Sequence, residues 1–177
     1  MFIKHRRPLL LAGIVLTVSA CTGLPAGVQP VQEFKLNQYL GTWYEIARLD
    51  HSFERGLNNV SATYSLREDG GLKVVNKGYS NTDQRWKEAE GKAYFMRGNN
   101  EGYLKVSFFG PFYGSYAVFG LDKENYDYAF VSGYNTKYLW LLSRTTSVSK
   151  EVLDKFTKQS RALGFNTDNL ILVQHDK

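Results

Sequence analysis

Thiols, imidazoles and hydroxyls near a base are the side chains that could carry covalent, metal or acid–base chemistry, and this 177-residue chain is short of the first two. Cys21 is the single cysteine, and histidine occurs only at His5, His51 and His175. Two histidines in the body of the chain are too few for a His-rich metal site, which wants three or four N or S ligands. No Gly-x-Ser-x-Gly run is present to set a serine on a nucleophile elbow. Gly110 to Gly114 is glycine-rich, yet it lacks the lysine and the following helix that a phosphate loop needs. His51 falls just after a predicted strand and reads as a loop residue rather than a base. The residues therefore predict no catalytic group, no metal ligand and no cofactor.

Cys21 has a different setting. Lys4, Arg6 and Arg7 precede an apolar run over residues 9–18, then Ser19 and Ala20, then the cysteine. A charged segment, about ten apolar residues and small residues at the cut describe a secretory signal. The run is too short to span a bilayer, which takes about twenty residues. Val18-Ser19-Ala20-Cys21 resembles the lipobox of bacterial lipoproteins, with valine where leucine is commoner. A lone cysteine in an exported chain has no partner for an intramolecular disulfide, and acylation gives it a use. The alternative is an ordinary signal with an incidental cysteine. Thr22 in place of aspartate favours the outer membrane, facing the periplasm, in a Gram-negative host. Removing the three signal cations leaves 19 basic residues against 17 acidic, a net charge of +2 in place of +5. Those charges are scattered, and a nucleic-acid partner would want a basic stripe.

The elements that follow the signal are mostly strands. Residues 22–32 (TGLPAGVQPVQ) lack periodicity and read as a spacer. Strands are predicted at 42–49, 60–67, 72–79, 86–96, 103–109, 113–121, 126–132 and 138–144, joined by short polar or Gly-containing turns. Glu68-Asp69-Gly70-Gly71 is a strong hairpin signal. Gly91 predicts a bulge or bend in the fourth strand. Over residues 147–163, Val152, Leu153, Phe156, Ser160 and Leu163 fall on one helical face. Ser147 or Ser149 can cap its start and Gly164 ends it. A short final strand is predicted at 169–173. The organisation predicted is a signal at 1–20, a linker at 21–32 and one domain at 33–177. Eight antiparallel strands and one helix fit an up-and-down barrel with the helix outside, all-β in class. Periodicity alone leaves a β-sandwich equally open.

Three motifs break that tie. Gly41-Thr42-Trp43-Tyr44-Glu45 resembles the G-x-W signature of the lipocalin family, and residues 34–40 resemble the helical turn that plugs the barrel base. Leu121-Asp122 with Tyr126-Asp127-Tyr128 resembles the second signature, without its commoner Thr-Asp-Tyr form. Tyr138-Leu139-Trp140-Leu141-Leu142-Ser143-Arg144 resembles the third. The runs Phe53-Glu54-Arg55-Gly56 and 105–114 (KVSFFGPFYG) resemble the family's bacterial lipoprotein members. The resemblance covers nearly the whole chain after the signal. It implies an eight-stranded barrel, a structural trio of Gly41, Trp43 and Arg144 with the arginine across the indole, and a cavity for apolar or amphipathic ligands.

Resemblance also implies that Trp140 faces that cavity. Strand alternation gives two faces without saying which looks inward. Leu104, Val106 and Phe108 share an apolar face, Tyr116 and Val118 another, Ala62 and Tyr64 a third. Trp140, Tyr116, Phe108, Val106 and Tyr64 are the predicted ligand-binding residues. Expected partners are a fatty acid or lysophospholipid, a membrane reached through acylated Cys21, and a possible homodimer, with no nucleic acid. The function expected is lipid binding, storage or transport in the envelope; the alternative is a protein-docking lipoprotein with a filled barrel. Phe108, Phe109, Phe112, Tyr113 and Tyr116 read as hairpin core, the alternative being a membrane-touching tip or dimer patch.

Overall fold

The computed structural model describes residues 22–177. The residues predicted as signal, and Cys21 itself, lie outside the described part.

One turn of helix, α1 (Leu36–Tyr39), precedes eight strands: β1 (Gly41–Arg48), β2 (Leu57–Leu66), β3 (Leu72–Ser80), β4 (Arg85–Phe95), β5 (Tyr103–Phe109), β6 (Phe112–Leu121), β7 (Tyr128–Ser132) and β8 (Leu139–Ser143). Each pairs antiparallel with the next, and β1 closes the circle against both β8 and β2. That double pairing makes a barrel and removes the sandwich alternative. Helix α2 (Lys150–Ala162) follows, and β9 (Ile171–Leu172) pairs with the end of β1. Because strands alternate in direction, one end carries residues 49–56, 81–84, 110–111 and 133–138, and forms the mouth. The other end carries α1 and the turns at 67–71, 96–102 and 122–127, and forms the base.

Both faces of the wall are apolar along much of the sheet, for a physical reason. Inward residues such as Trp43, Tyr64, Val74, Ala93, Leu104, Val118, Val131 and Leu142 form a core inside the barrel. Outward residues Ala47, Ala117, Phe119, Phe130, Leu139 and Leu141 form a second core under α2. Period-2 alternation therefore puts an apolar side chain on each face of β7 and β8, as in any sheet covered twice. Phe156 of α2 packs on Phe130 with ring centroids 5.1 Å apart. Ser149, not Ser147, caps the helix by accepting from the Val152 amide, and the regular turns begin at Lys150 rather than at 147.

Other sequence readings also differ from the structure. Gly91 marks no bulge: β3 and β4 pair without a break from Leu72 to Ser80. A Cβ there would come within 2.7 Å of the Ser107 carbonyl oxygen, so glycine lets β4 approach β5. Tyr126 does not begin β7; it holds a left-handed φ of 58° before the strand, and its hydroxyl accepts from the Lys35 amide at 2.8 Å. Residues 22–32, read as a spacer, lie against the barrel with Pro25, Val28 and Pro30 buried. Val31 donates to the Val118 carbonyl and accepts from the Gly102 amide, each at 2.8 Å.

Candidate functional site

The interior is organised in tiers from base to mouth. At the base, Trp43 on β1 is fully buried and donates from its indole to the Tyr39 carbonyl at 2.8 Å. The Arg144 guanidinium lies 3.9 Å from the centre of that ring. It also donates to the carbonyls of Gln38 at 2.6 Å, Leu40 at 2.9 Å and Thr42 at 2.8 Å. Arginine suits this place because its flat fork can stack and donate several times at once. Gly41 holds a φ of 91°, with the Arg144 Nη1 only 3.6 Å from where a Cβ would sit.

Above the base stand three phenols. The hydroxyls of Tyr39 and Tyr116 are 2.6 Å apart, and Tyr64 donates to Tyr116 at 2.9 Å. Burial is the main force pushing all three phenols above their ordinary range. They stay neutral donors and acceptors inside the barrel.

Nearer the mouth lies a buried charged cluster. A β-bulge between Glu45 and Ala47 turns both Ile46 and Ala47 outward. Glu45 and Arg48 thereby both face inward, where strict alternation would oppose them. The Arg48 Nη1 sits 2.6 Å from Glu45, and Nη2 donates to the carbonyls of Glu54 at 2.9 Å and Leu57 at 3.1 Å. The Glu54 carboxylate accepts from the Trp140 indole at 3.0 Å and lies 3.1 Å from the His51 Nε2. Burial and then the Glu54 charge push the Glu45 carboxyl well above its ordinary value, against the pull of Arg48. Burial acts on Glu54 too, but the neighbouring His51, Glu45 and Trp140 side chains outweigh it and hold that carboxyl below its ordinary value. The His51 ring packs edge-on to Trp140 at 5.1 Å and beside Tyr138 and Phe53, each at 5.7 Å.

Across from this cluster the wall is apolar. Val106 and Phe108 on β5 face inward with Leu104, beside Ala93 of β4. All five residues singled out from the sequence, Trp140, Tyr116, Phe108, Val106 and Tyr64, belong to the inward set. Tyr64 is buried, whereas Val106, Phe108, Tyr116, Trp140 and Ala62 are only half-buried although they point inside. Sequence reasoning missed Tyr39, Glu45, Arg48 and Glu54, and it placed His51 in a loop without foreseeing its burial. No periodic rule reveals a bulge, so nothing in the pattern joins Glu45 to Arg48. The described residues also line grooves elsewhere. One of 310 Å³ runs between Asp127, Arg144 and the start of α2, and one of 210 Å³ runs between Arg67, Glu90 and Phe108. Neither holds the charged cluster.

The aromatic run at the β5–β6 hairpin is divided. Phe108 and Tyr116 point inside, but Phe109 and Phe112 are 71% and 65% exposed. The core reading therefore fails at the tip, because the chain turns at Gly110-Pro111 beyond the reach of either core.

Comparison with known proteins agrees with this architecture. Residues 34–175 match the lipocalin-like domain family. The chain is 62% identical to the outer membrane lipoprotein Blc of Vibrio cholerae over 94% of its own length and 96% of that protein's. It is 53% identical to the outer membrane lipoprotein Blc of Escherichia coli K12, over 85% of this chain and 84% of that one. In fold it is similar to insecticyanin from the tobacco hornworm Manduca sexta, with a TM-score of 0.70, 23% identity and 88% of each chain covered.

Proposed function

The chain belongs to the lipocalin family, and on that premise we propose that it is an outer-membrane lipoprotein whose barrel takes up a fatty acid or lysophospholipid from the envelope. The observation that carries the reading is the pair of inward but half-buried apolar side chains on β5, Val106 and Phe108. An acyl chain laid along that wall gains about 25 cal/mol per Å² of apolar area, less the cost of ordering the lipid. Arg48, Glu54 and the Trp140 indole stand opposite, where a polar headgroup can find charge and donors. Such a two-sided interior suits an amphipathic ligand better than a plain hydrocarbon. Storage or transport of envelope lipid follows as the role, with binding rather than turnover as the activity.

The anchor is part of the same proposal. Cleavage after Ala20 and acylation of Cys21 would leave the domain on the periplasmic face of the outer membrane. The names of the Vibrio cholerae and Escherichia coli relatives support that location. More than one acyl chain makes such an anchor stable, at about 0.8 kcal/mol per buried methylene.

The test is a titration of residues 22–177 with lysophospholipids and fatty acids, followed by tryptophan fluorescence beside Trp140→Phe. Saturable binding whose signal disappears in the variant is expected. A folded domain that binds no lipid at micromolar concentration would overturn the carrier reading and favour a protein-docking lipoprotein.

A further inference from the structure

The mouth of the barrel carries an apolar rim. Phe53 in the β1–β2 loop is 67% exposed, Trp86 at the start of β4 is 43% exposed, and Phe109 and Phe112 flank the tip of the β5–β6 hairpin. All four stand at the end away from α1. Water solvates such side chains poorly, and their gathering at one end needs an explanation that single exposed residues do not. Cations accompany the aromatics on the adjoining walls. Lys77 lies 4.6 Å from the Trp86 ring centre, and Lys105 lies 5.0 Å from that of Tyr113. Aromatic rings with long basic side chains beside them are the pattern of a membrane interface, where the ring meets the acyl boundary and the ammonium reaches the headgroups.

The N-terminal segment supplies a second, independent observation. The Tyr103 hydroxyl donates to the Thr22 carbonyl, and the Ser115 hydroxyl donates to the Gly23 carbonyl at 2.5 Å. Tyr103 is on β5 and Ser115 on β6, so the start of the described chain is fastened to the outer face of the hairpin that carries Phe109 and Phe112. Buried Pro25, Val28 and Pro30 hold the rest of the segment to the wall. Between Thr22 and the barrel there is no slack. Cys21 is one residue further, about 3.8 Å away. Ser115 is three residues from Phe112, roughly 10 Å along an extended strand. The fastened start of the chain at Thr22 and Gly23 thus lies on the order of 15 Å from the aromatic tip, about the depth of one hydrocarbon leaflet.

We propose that the protein docks mouth-first on the bilayer, with Phe109 and Phe112 inserted in the leaflet that holds its anchor. The inference rests on the acylation of Cys21 proposed above. A bilayer that accepts the acyl chains at Cys21 must lie against the β5–β6 hairpin, because the fastened segment cannot hold the barrel away from it. A lipid can then pass between leaflet and barrel without crossing water. A second copy is a poorer occupant for this rim. The two phenylalanines offer on the order of 250 Å², against about 800 Å² per partner in a standard protein interface. Insertion into lipid needs no complementary surface.

The experiment uses the full chain, matured in a bacterial host and reconstituted in phosphatidylethanolamine–phosphatidylglycerol vesicles. With Cys21 acylated, Phe112→Cys provides a single reactive thiol for an environment-sensitive fluorophore. Lys158→Cys, on the exposed side of α2, is the reference position. Both sites are on the surface, and circular dichroism checks that each variant is folded. Nitroxide-labelled lipids are expected to quench the label at 112 at least threefold more than the label at 158. Releasing the tether with Tyr103→Phe and Ser115→Ala is expected to reduce that quenching while leaving vesicle flotation intact. Flotation with equal quenching at the two positions would overturn the docking geometry and leave the anchor standing. A blue-shifted label at 112 without nitroxide quenching would put a second copy on the rim and overturn the proposal. A chain that does not float would overturn the anchor itself, and the docking geometry with it.

Discussion

Arg144 makes four contacts at the base: one indole face and three carbonyls. A lysine can reach one or two of those oxygens but cannot lie flat on the ring. Losing the stacking and at least one hydrogen bond costs about 2 kcal/mol. Arg144→Lys is therefore expected to lower Tm by roughly 4–8 °C for a domain of this size. Calorimetry on the variant checks this, and lipid preference should not change, since the pair lies at the end away from the mouth. Glu45 makes a different prediction. Its folded-state carboxyl binds a proton more tightly than an exposed glutamate does, because of burial and the nearby Glu54 charge. The unfolded chain gives up that proton near the ordinary value of about 4.3. Its contribution to stability is full below that value and falls as pH rises through the raised folded value. Glu45→Gln keeps a neutral oxygen for Arg48 and has no proton to lose. Urea midpoints measured from pH 5 to pH 9 should decline for the parent and stay nearly flat for the variant. A parent curve as flat as the variant's would mean that Glu45 is ionised and paired with Arg48.

Single strands show what patterning reveals and where it stops. The β5 run Tyr103–Phe109 was legible to the residue because Leu104, Val106 and Phe108 alternate cleanly against Lys105 and Ser107. The helix face over Val152, Phe156 and Ser160 was equally plain, since 3.6-residue spacing survives beside Ser149 and Gly164. The start of β7 was less so: Tyr126 looks like a strand residue, yet a turn before β7 needs its left-handed backbone. The charged cluster was not legible at all. It depends on a bulge at Ile46 and on a loop that brings Glu54 back under Trp140, and neither leaves a period in the sequence. Residues 22–32 looked like a spacer because Pro and Gly hide any pattern, although Val28 and two prolines are buried. Gly91 belongs to the same scale. Its absent side chain lets two strands meet, with the Ser107 oxygen 2.7 Å and the Phe108 ring 2.8 Å from a would-be Cβ. Gly91→Ala must push β4 from β5 at the first residues of their pairing. A loss of about 1–3 kcal/mol is expected from such overpacking. Denaturant unfolding measures it, and faster hydrogen exchange at residues 92–95 would locate it.

The whole molecule is a wall with a core on each side, and only the inner one is divided between polar and apolar halves. Trp43, Phe34 and Tyr39 fill the base, so any ligand must lie above the phenols. From there to the mouth, Val106 and Phe108 face Arg48, Glu54 and Trp140 across the barrel. A ligand that binds this folded interior and not the unfolded chain must raise the unfolding temperature. At a hundred times Kd the gain is about 2.7 kcal/mol, which corresponds to roughly 5–10 °C in Tm. Lysophospholipid is expected to give a shift of that size, while a short-chain phosphate ester, which lacks the acyl chain, should give none. Val106→Trp separates occupancy of the barrel from binding at its rim. The larger ring takes the space along the apolar wall, so most of the lipid-induced shift should vanish while the unliganded Tm changes by only a few degrees. An undiminished shift in that variant would mean that the lipid binds outside the barrel, and the exposed aromatic rim would then be the place to look.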